Sequence, residues 1–193
     1  MLRRLAPADY ATLIGLGLGW TAVSLFLQGR PDAATLTLLL AFLCDKADGC
    51  LARLGYGSPL GHQLDALADV VIYLVPTAIV LSDLLAGPPV LESLAGTVVV
   101  GFGILRLARY SVDGAVTADE PPYYQGITAF HVAAWALVVR LAVALIAIPS
   151  LIGAVSIVII TPLMIAPFRI YATRNQFIGA VIIGSIITTG ALV

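Results

Sequence analysis

Charge is what this sequence has least of. Only 11% of its 193 residues are Asp, Glu, Lys or Arg, against about 25% in an ordinary soluble domain. A surface so poor in charge cannot face water, so the solvent must be lipid. Lysine occurs once, as Lys46, and the net charge is −1. With no basic stripe and no zinc-finger spacing, the chain offers nothing to a nucleic-acid partner. Two histidines and two cysteines make no His/Cys cluster, which argues against a zinc site. Cys44 and Cys50 stand six apart, on different faces of a predicted helix, and read as small packing residues. No polar stretch is long enough for a separate soluble domain, and there is no internal repeat or low-complexity tract. Residues 1–193 read as a single membrane domain.

What is abundant is apolar sequence: 60% of residues are hydrophobic and the mean hydropathy is +1.03. Apolar segments fall at 11–28, 33–53, 60–82, 89–110, 126–147, 150–171 and 177–193. Each approaches the roughly 20 residues that a membrane helix needs. The fold expected is an all-α polytopic transmembrane bundle of six core helices and a short seventh. Arg3 and Arg4 precede the first run as in a signal peptide, but the run is long and more follow, so it is expected to remain as a span. Gly29–Pro31, Gly55–Pro59, Gly87–Pro89 and Pro149–Ser150 supply turns. Pro76, Pro162 and Pro167 inside apolar runs predict kinks. The stretch Asp113–Gln125 reads as a solvated loop, with Tyr123 and Tyr124 opening the fifth span as interfacial aromatics.

Basic residues give an orientation. With the N-terminus in the cytoplasm, Arg3, Arg4, Lys46, Arg53, Arg106, Arg109, Arg169 and Arg174 lie on the cytoplasmic side. Only Arg30 and Arg140 lie nearer the other. That is a strong positive-inside bias.

Within this apolar background, four aspartates stand out. A charged side chain at a helix centre costs roughly 2.5–3.5 kcal/mol on insertion scales, so each needs a cation or a partner. Asp45 and Asp48 are i, i+3 and share one helix face; Asp65 and Asp69 are i, i+4 and share another. The seven residues Leu54–Leu60, with Gly55, Gly57 and Pro59, predict a short turn that makes the two helices antiparallel neighbours. The four carboxylates then converge. Crowded carboxylates repel unless a metal sits among them, and hard oxygen ligands favour magnesium, manganese or calcium. Gly49, Ala52 and Gly61 keep the neighbouring helix faces small enough for a bulky ligand, and Arg53 offers a planar fork suited to phosphate. Intramembrane carboxylates also mark ion paths, so a cation transporter is the alternative. A transporter usually carries its charges at the midplane and in repeated halves, and neither is present here.

The run Asp45-x-x-Asp48-Gly49-x-x-Ala52-Arg53, followed after seven residues by Gly61-x-x-x-Asp65-x-x-x-Asp69, resembles the signature of the CDP-alcohol phosphatidyltransferase family. The resemblance implies six core membrane helices, often paired in homodimers. It also implies a CDP-lipid, CDP-diacylglycerol or CDP-archaeol, bound in a cytoplasm-facing cavity of a prokaryotic cell membrane. Transfer of a phosphatidyl-type group to a small alcohol would release CMP. By the same resemblance, two divalent cations, Mg2+ or Mn2+, would be held by Asp45, Asp48, Asp65 and Asp69, with Asp69 also the catalytic base. Asp48, Gly49, Ala52, Arg53 and Gly61 would form the CDP-lipid pocket.

Further stretches are similar to bacterial and archaeal serine-using members. They are Leu64-Asp65-Ala66-Leu67-Ala68-Asp69, Leu105-Arg106-Leu107-Ala108-Arg109-Tyr110 and Tyr124-Gln125-Gly126-Ile127. Serine is therefore the expected acceptor, with inositol phosphate or glycerol phosphate as alternatives. Arg106 and Arg109 are expected to bind the acceptor carboxylate or a lipid phosphate. The pattern departs at Thr128, Phe130 and His131, and in having seven predicted spans where those enzymes commonly have eight. His131 reads as a packed or hydrogen-bonded residue, and Arg140 as an intramembrane arginine needing a partner.

Overall fold

The computed structural model describes residues 5–113 and 123–171. Within them lie six helices: α1 Pro7–Leu27, α2 Pro31–Leu51, α3 Gly61–Leu85, α4 Pro89–Asp113, α5 Ala129–Ile146 and α6 Ser150–Ile160. The expected all-helical bundle is what is found. Four of the six, α1, α3, α4 and α5, are long and apolar enough to cross a membrane. Helix α2 is as long as α1, but Asp32, Asp45, Lys46 and Asp48 raise its charge. The predicted seventh segment lies outside the described residues. Large apolar side chains point outward along these helices, among them Trp20, Leu67, Val90 and Ile159, each more than 60% exposed. A water-soluble monomer rarely bares apolar faces this way, whereas lipid accepts them.

The chain divides into two compact units, residues 1–76 and 77–193. In the first, α1 packs along α2 and against the first half of α3. Glycine makes this approach close. A Cβ on Gly15 would come 3.2 Å from Cys44 Cβ, and one on Gly19 would come 3.2 Å from Ile72 Cα. Four residues apart, the two glycines form the small-xxx-small stripe by which membrane helices approach without a hydrophobic driving force. Cys44 thus packs as expected, while Cys50 is exposed. Helix α2 ends in a π-helical turn, Ala52–Tyr56, closed by Gly55 at φ 91°. Most L residues avoid that angle. Helix α3 is α-helical over Gly61–Asp69, π-helical over Val70–Leu74 and α-helical again from Val75. The kink expected at Pro76 takes this form. Proline has no N–H for the carbonyl four residues back and crowds it, and a widened turn accommodates both.

In the second unit, α5 and α6 pack so tightly at Gly153 that an added Cβ would lie 2.5 Å from Val139 Cγ1. Trp135 Nε1 donates to Ser156 Oγ across the same pair at 3.0 Å. The predicted sixth span, 150–171, is not one helix. Helix α6 stops at Ile160, and Thr161–Met164 forms a single 3-10 turn. The chain then turns into strand β2, Arg169–Tyr171. Pro162 and Pro167 explain the break, since neither can donate to a helical ladder. Strand β2 pairs antiparallel with β1, Tyr123–Gln125. Residues 123–125 therefore belong to a strand, and not to the start of the fifth span as expected. Helix α5 begins only at Ala129, after Gly126 at φ 72° and the extended N-cap Thr128.

Candidate metal centre

Asp45 and Asp48 stand in the last two turns of α2, and Asp65 and Asp69 in the first three turns of α3. The turn between the helices brings them together as the spacing predicts. Asp45, Asp48 and Asp65 each offer a carboxylate oxygen, and the three atoms lie within 4.8 Å of one another. Leu67, between the two α3 aspartates, is 70% exposed on the opposite face. Asp69 is not one of that three-oxygen group. It lies within electrostatic reach of Asp45, Asp65 and Lys46, and its Oδ1 is buried with no hydrogen-bond partner. An orphaned carboxylate oxygen beside three clustered carboxylates suits a hard divalent cation, whose ligands are oxygens. The donor set therefore fits a metal, with Asp45, Asp48 and Asp65 as the residues that can hold it.

Other helices orient these carboxylates. Thr12 of α1 donates from Oγ1 to Asp48 Oδ2 at 2.6 Å, and both residues are buried. Tyr73, in the π-helical turn of α3, donates its hydroxyl to Asp45 Oδ2 at 2.6 Å. Lys46 Nζ bonds the same oxygen at 2.7 Å and lies 6.0 Å over the Tyr73 ring. Phe42 packs on that ring with centroids 4.8 Å apart. Hydroxyl donors to metal-binding carboxylates fix their rotamers.

Sequence reading missed both hydroxyls, and it missed Asp9. Thr12 carried no signal, because threonine in an apolar helix is ordinarily explained by a bond to its own backbone, which Thr12 also makes, to Ala8 O at 3.2 Å. Tyr73 falls four residues after Asp69, so helical spacing could have found it.

The smaller signature residues frame the centre. Arg53 is exposed, and its guanidinium lies back towards Gly49, 3.5 Å from where a Cβ there would stand. Ala52 receives the turn, its Cβ 3.4 Å from the Cβ position of Gly57. Gly61 abuts the buried carboxylate of Asp9: a Cβ at Gly61 would lie 3.2 Å from Asp9 Oδ1.

Arg106 and Arg109 belong to the second unit. Arg106 is buried, its guanidinium 5.4 Å from the centre of the Tyr110 ring. Arg109 donates to three backbone carbonyls: Gln125 O at 2.7 Å, Met164 O at 3.1 Å and Ile165 O at 3.1 Å. It ties α4 to β1 and to the turn after α6, a scaffold role that its sequence position does not announce. The departures at Thr128 and His131 also have a local cause. Thr128 N–H donates to His131 Nδ1 at 3.3 Å, and Thr128 Oγ1 lies 2.7 Å from the same nitrogen, so the pair caps α5.

Comparison with known proteins agrees with this geometry. The family model for CDP-alcohol phosphatidyltransferase matches residues 6–193. The chain is similar to archaetidylserine synthase of Methanothermobacter thermautotrophicus, 31% identical over 111 residues, which are 56% of this chain and 48% of that protein. It is similar to CDP-diacylglycerol–serine O-phosphatidyltransferase of Mycobacterium leprae, 34% identical over 125 residues, 61% of this chain and 41% of that one. Inner membrane protein YnjF of Escherichia coli is 33% identical over 125 residues, 61% of this chain and 60% of that one. The chain thus spans about half the length of these relatives. A family match over nearly every residue, with the signature aspartates clustered as a metal would require, makes this chain a member of the CDP-alcohol phosphatidyltransferase family.

Proposed function

We propose that this protein transfers a phosphatidyl-type group from a CDP-lipid to the hydroxyl of serine and releases CMP. The observation that carries the reading is the cluster of Asp45, Asp48 and Asp65, beside the unpartnered oxygen of Asp69, in a chain of this family. Serine is favoured because two similar relatives carry it in their names. One of them is an archaetidyl and the other a diacylglycerol enzyme, so CDP-archaeol and CDP-diacylglycerol are both candidate donors.

Asp45, Asp48 and Asp65, with Asp69, would hold two divalent cations, Mg2+ or Mn2+. Once bound, these supply positive charge to the diphosphate and to the departing CMP. The protein's own groups do the rest. Asp69 takes the proton from the acceptor hydroxyl. The acceptor oxygen then bonds to the lipid-linked phosphorus as the bond to CMP breaks, and CMP leaves with the electron pair. Arg53 presents its fork to a phosphate. On sequence resemblance, Gly49, Ala52 and Gly61 would line the nucleotide pocket. On sequence resemblance, Arg106 and Arg109 would bind the acceptor carboxylate or the lipid phosphate. The three carbonyl bonds of Arg109 weigh towards a supporting role for that residue. The positive-inside pattern supports a site on the cytoplasmic face of the cell membrane, and the family resemblance suggests a homodimer.

The test is CMP release by the purified protein in detergent, with either CDP-lipid and with magnesium or manganese. Serine, inositol phosphate and glycerol phosphate are compared as acceptors. Metal-dependent release with serine alone is expected, and EDTA abolishes it. Release with another acceptor would overturn serine and keep the transferase. No release with either donor would overturn the activity.

A further inference from the structure

Among the described residues, two buried side-chain oxygens have no hydrogen-bond partner: Asp9 Oδ1 and Asp69 Oδ1. Asp9 is closed off at 0% exposure, with the Cβ position of Gly61 3.2 Å from that oxygen. Asp69 differs, because a cation already stands near it. Lys46, the one lysine of the chain, lies within electrostatic reach of Asp69, Asp65 and Asp45 and bonds Asp45 Oδ2 at 2.7 Å. Asp69 alone cannot hold a divalent cation, and the carboxylates within its own reach are Asp45 and Asp65. Those are two of the carboxylates that Lys46 also reaches.

The oxygen Lys46 holds is fully used. A carboxylate oxygen has about two lone-pair sites, and Asp45 Oδ2 also accepts the Tyr73 hydroxyl at 2.6 Å. While both donors stay, Asp45 meets a cation only through Oδ1. To serve two cations it must give Oδ2 as well, and a donor must leave. Tyr73 is held, 2% exposed and packed on Phe42. The Lys46 side chain is 38% exposed, and its flexible four-carbon stem lets the ammonium swing into water. An ammonium this close to a ligand oxygen also repels an incoming divalent cation.

Resting on the two-cation reading above, we propose that the Lys46 ammonium is a tethered cation that keeps the place of the second divalent one. Lys46 stays on Asp45 while the Asp45, Asp48 and Asp65 group takes its first cation. It releases Asp45 only when a second is taken on the Asp69 side. Lys46 thereby sets the metal concentration at which the centre fills.

The experiment counts Mn2+ bound to the full-length protein in detergent by electron paramagnetic resonance, for wild type, Lys46→Met and Lys46→Arg. Wild type is expected to bind a first Mn2+ and, at least about tenfold more weakly, a second. In Lys46→Met the second affinity rises about tenfold and the first much less, and half-maximal CMP release needs less Mn2+. Lys46→Arg keeps the wild-type gap. A lysine that merely orients Asp45 would act with the opposite sign, since loss of an orienting partner weakens metal binding. A second affinity that is unchanged or lower in Lys46→Met overturns the inference. Wild type alone supplies another readout, because an amine-reactive reagent has one lysine to find. Labelling of the Lys46 peptide, resolved from the N-terminal amine by mass spectrometry, is expected to rise several-fold as the second Mn2+ binds. Constant or falling labelling overturns the inference, and this readout decides should Lys46→Met not fold. A wild type that binds fewer than two Mn2+ overturns the two-cation reading as well. Two bound Mn2+ with Lys46 labelled alike throughout overturns this inference only.

Discussion

Thr12 and Tyr73 each place one hydroxyl on a carboxylate of the cluster, on Asp48 and Asp45 respectively. Loss of such an outer partner typically weakens metal binding 10–100-fold, on the order of 1–3 kcal/mol. Thr12→Val and Tyr73→Phe are therefore expected to raise the Mn2+ concentration for half-maximal CMP release about tenfold or more, with a smaller change at saturating metal. Equal rates at low and saturating Mn2+, as in wild type, would remove both residues from the centre. Asp69→Asn is expected to abolish transfer while CDP-lipid binding with metal persists, and retained turnover would end its assignment as base. The four aspartates were legible because carboxylates at i, i+3 and i, i+4 in an apolar run have no cheap alternative explanation. Asp9 did have one. At the third position of a helix a carboxylate reads as a cap for the first turn, and its Oδ2 is one, so only the structure reveals the second oxygen without a partner.

At the scale of elements, glycine decides how close the helices come. Gly19→Val would drive a branched side chain into Ile72 from 3.2 Å and is expected to cost about 1–3 kcal/mol by overpacking. Because α1 also carries Thr12, the same change should raise the metal requirement, read together with a lower melting temperature in detergent. In the second unit, Gly126 combines φ 72° with Met164 O only 2.6 Å from its Cβ position. Gly126→Ala is expected to destabilise by about 1–3 kcal/mol. Arg109→Ala, which strips the donors from three carbonyls, should lower the melting temperature by several degrees. An unchanged melt would free Arg109 for the acceptor role that its sequence suggests. Hydropathy located all six described helices, because a span must be apolar along its length. It misplaced the end of α6 because Leu163–Ala166 continues the apolar run past Ile160, and the start of α5 because Tyr123 and Tyr124 read as interfacial aromatics of a span. What ends those helices there is proline, a left-handed glycine and a strand pairing between distant segments.

For the whole molecule, orientation is the open physical quantity that the two cysteines can report. Cys50 is exposed, and Cys44 is half-buried against α1. In a Cys44→Ser background, a membrane-impermeant maleimide is expected to label Cys50 in inverted vesicles and not in right-side-out ones. CDP with Mn2+ should slow that labelling, since Cys50 follows Gly49 at the edge of the proposed pocket. The reverse sidedness would overturn the cytoplasmic placement of the site while leaving the chemistry untouched.

The π-helical turn in α3 also bears on how this gene can change. Its wide turn holds one residue more than an α-helix would, and Tyr73 lies within it. Deleting one codon from Val70–Leu74 would leave an apolar span of acceptable length and would pass any hydropathy filter. It would also convert the wide turn into an ordinary α-helical one, leaving the helix beyond it facing much as before but shifting Tyr73 within the turn relative to Asp65 and Asp69. Val70 and Val71 can therefore exchange for other apolar residues more readily than the buried Ile72, Tyr73 and Leu74, but an in-frame loss of any one of the five is expected to behave like a missense change at the metal centre.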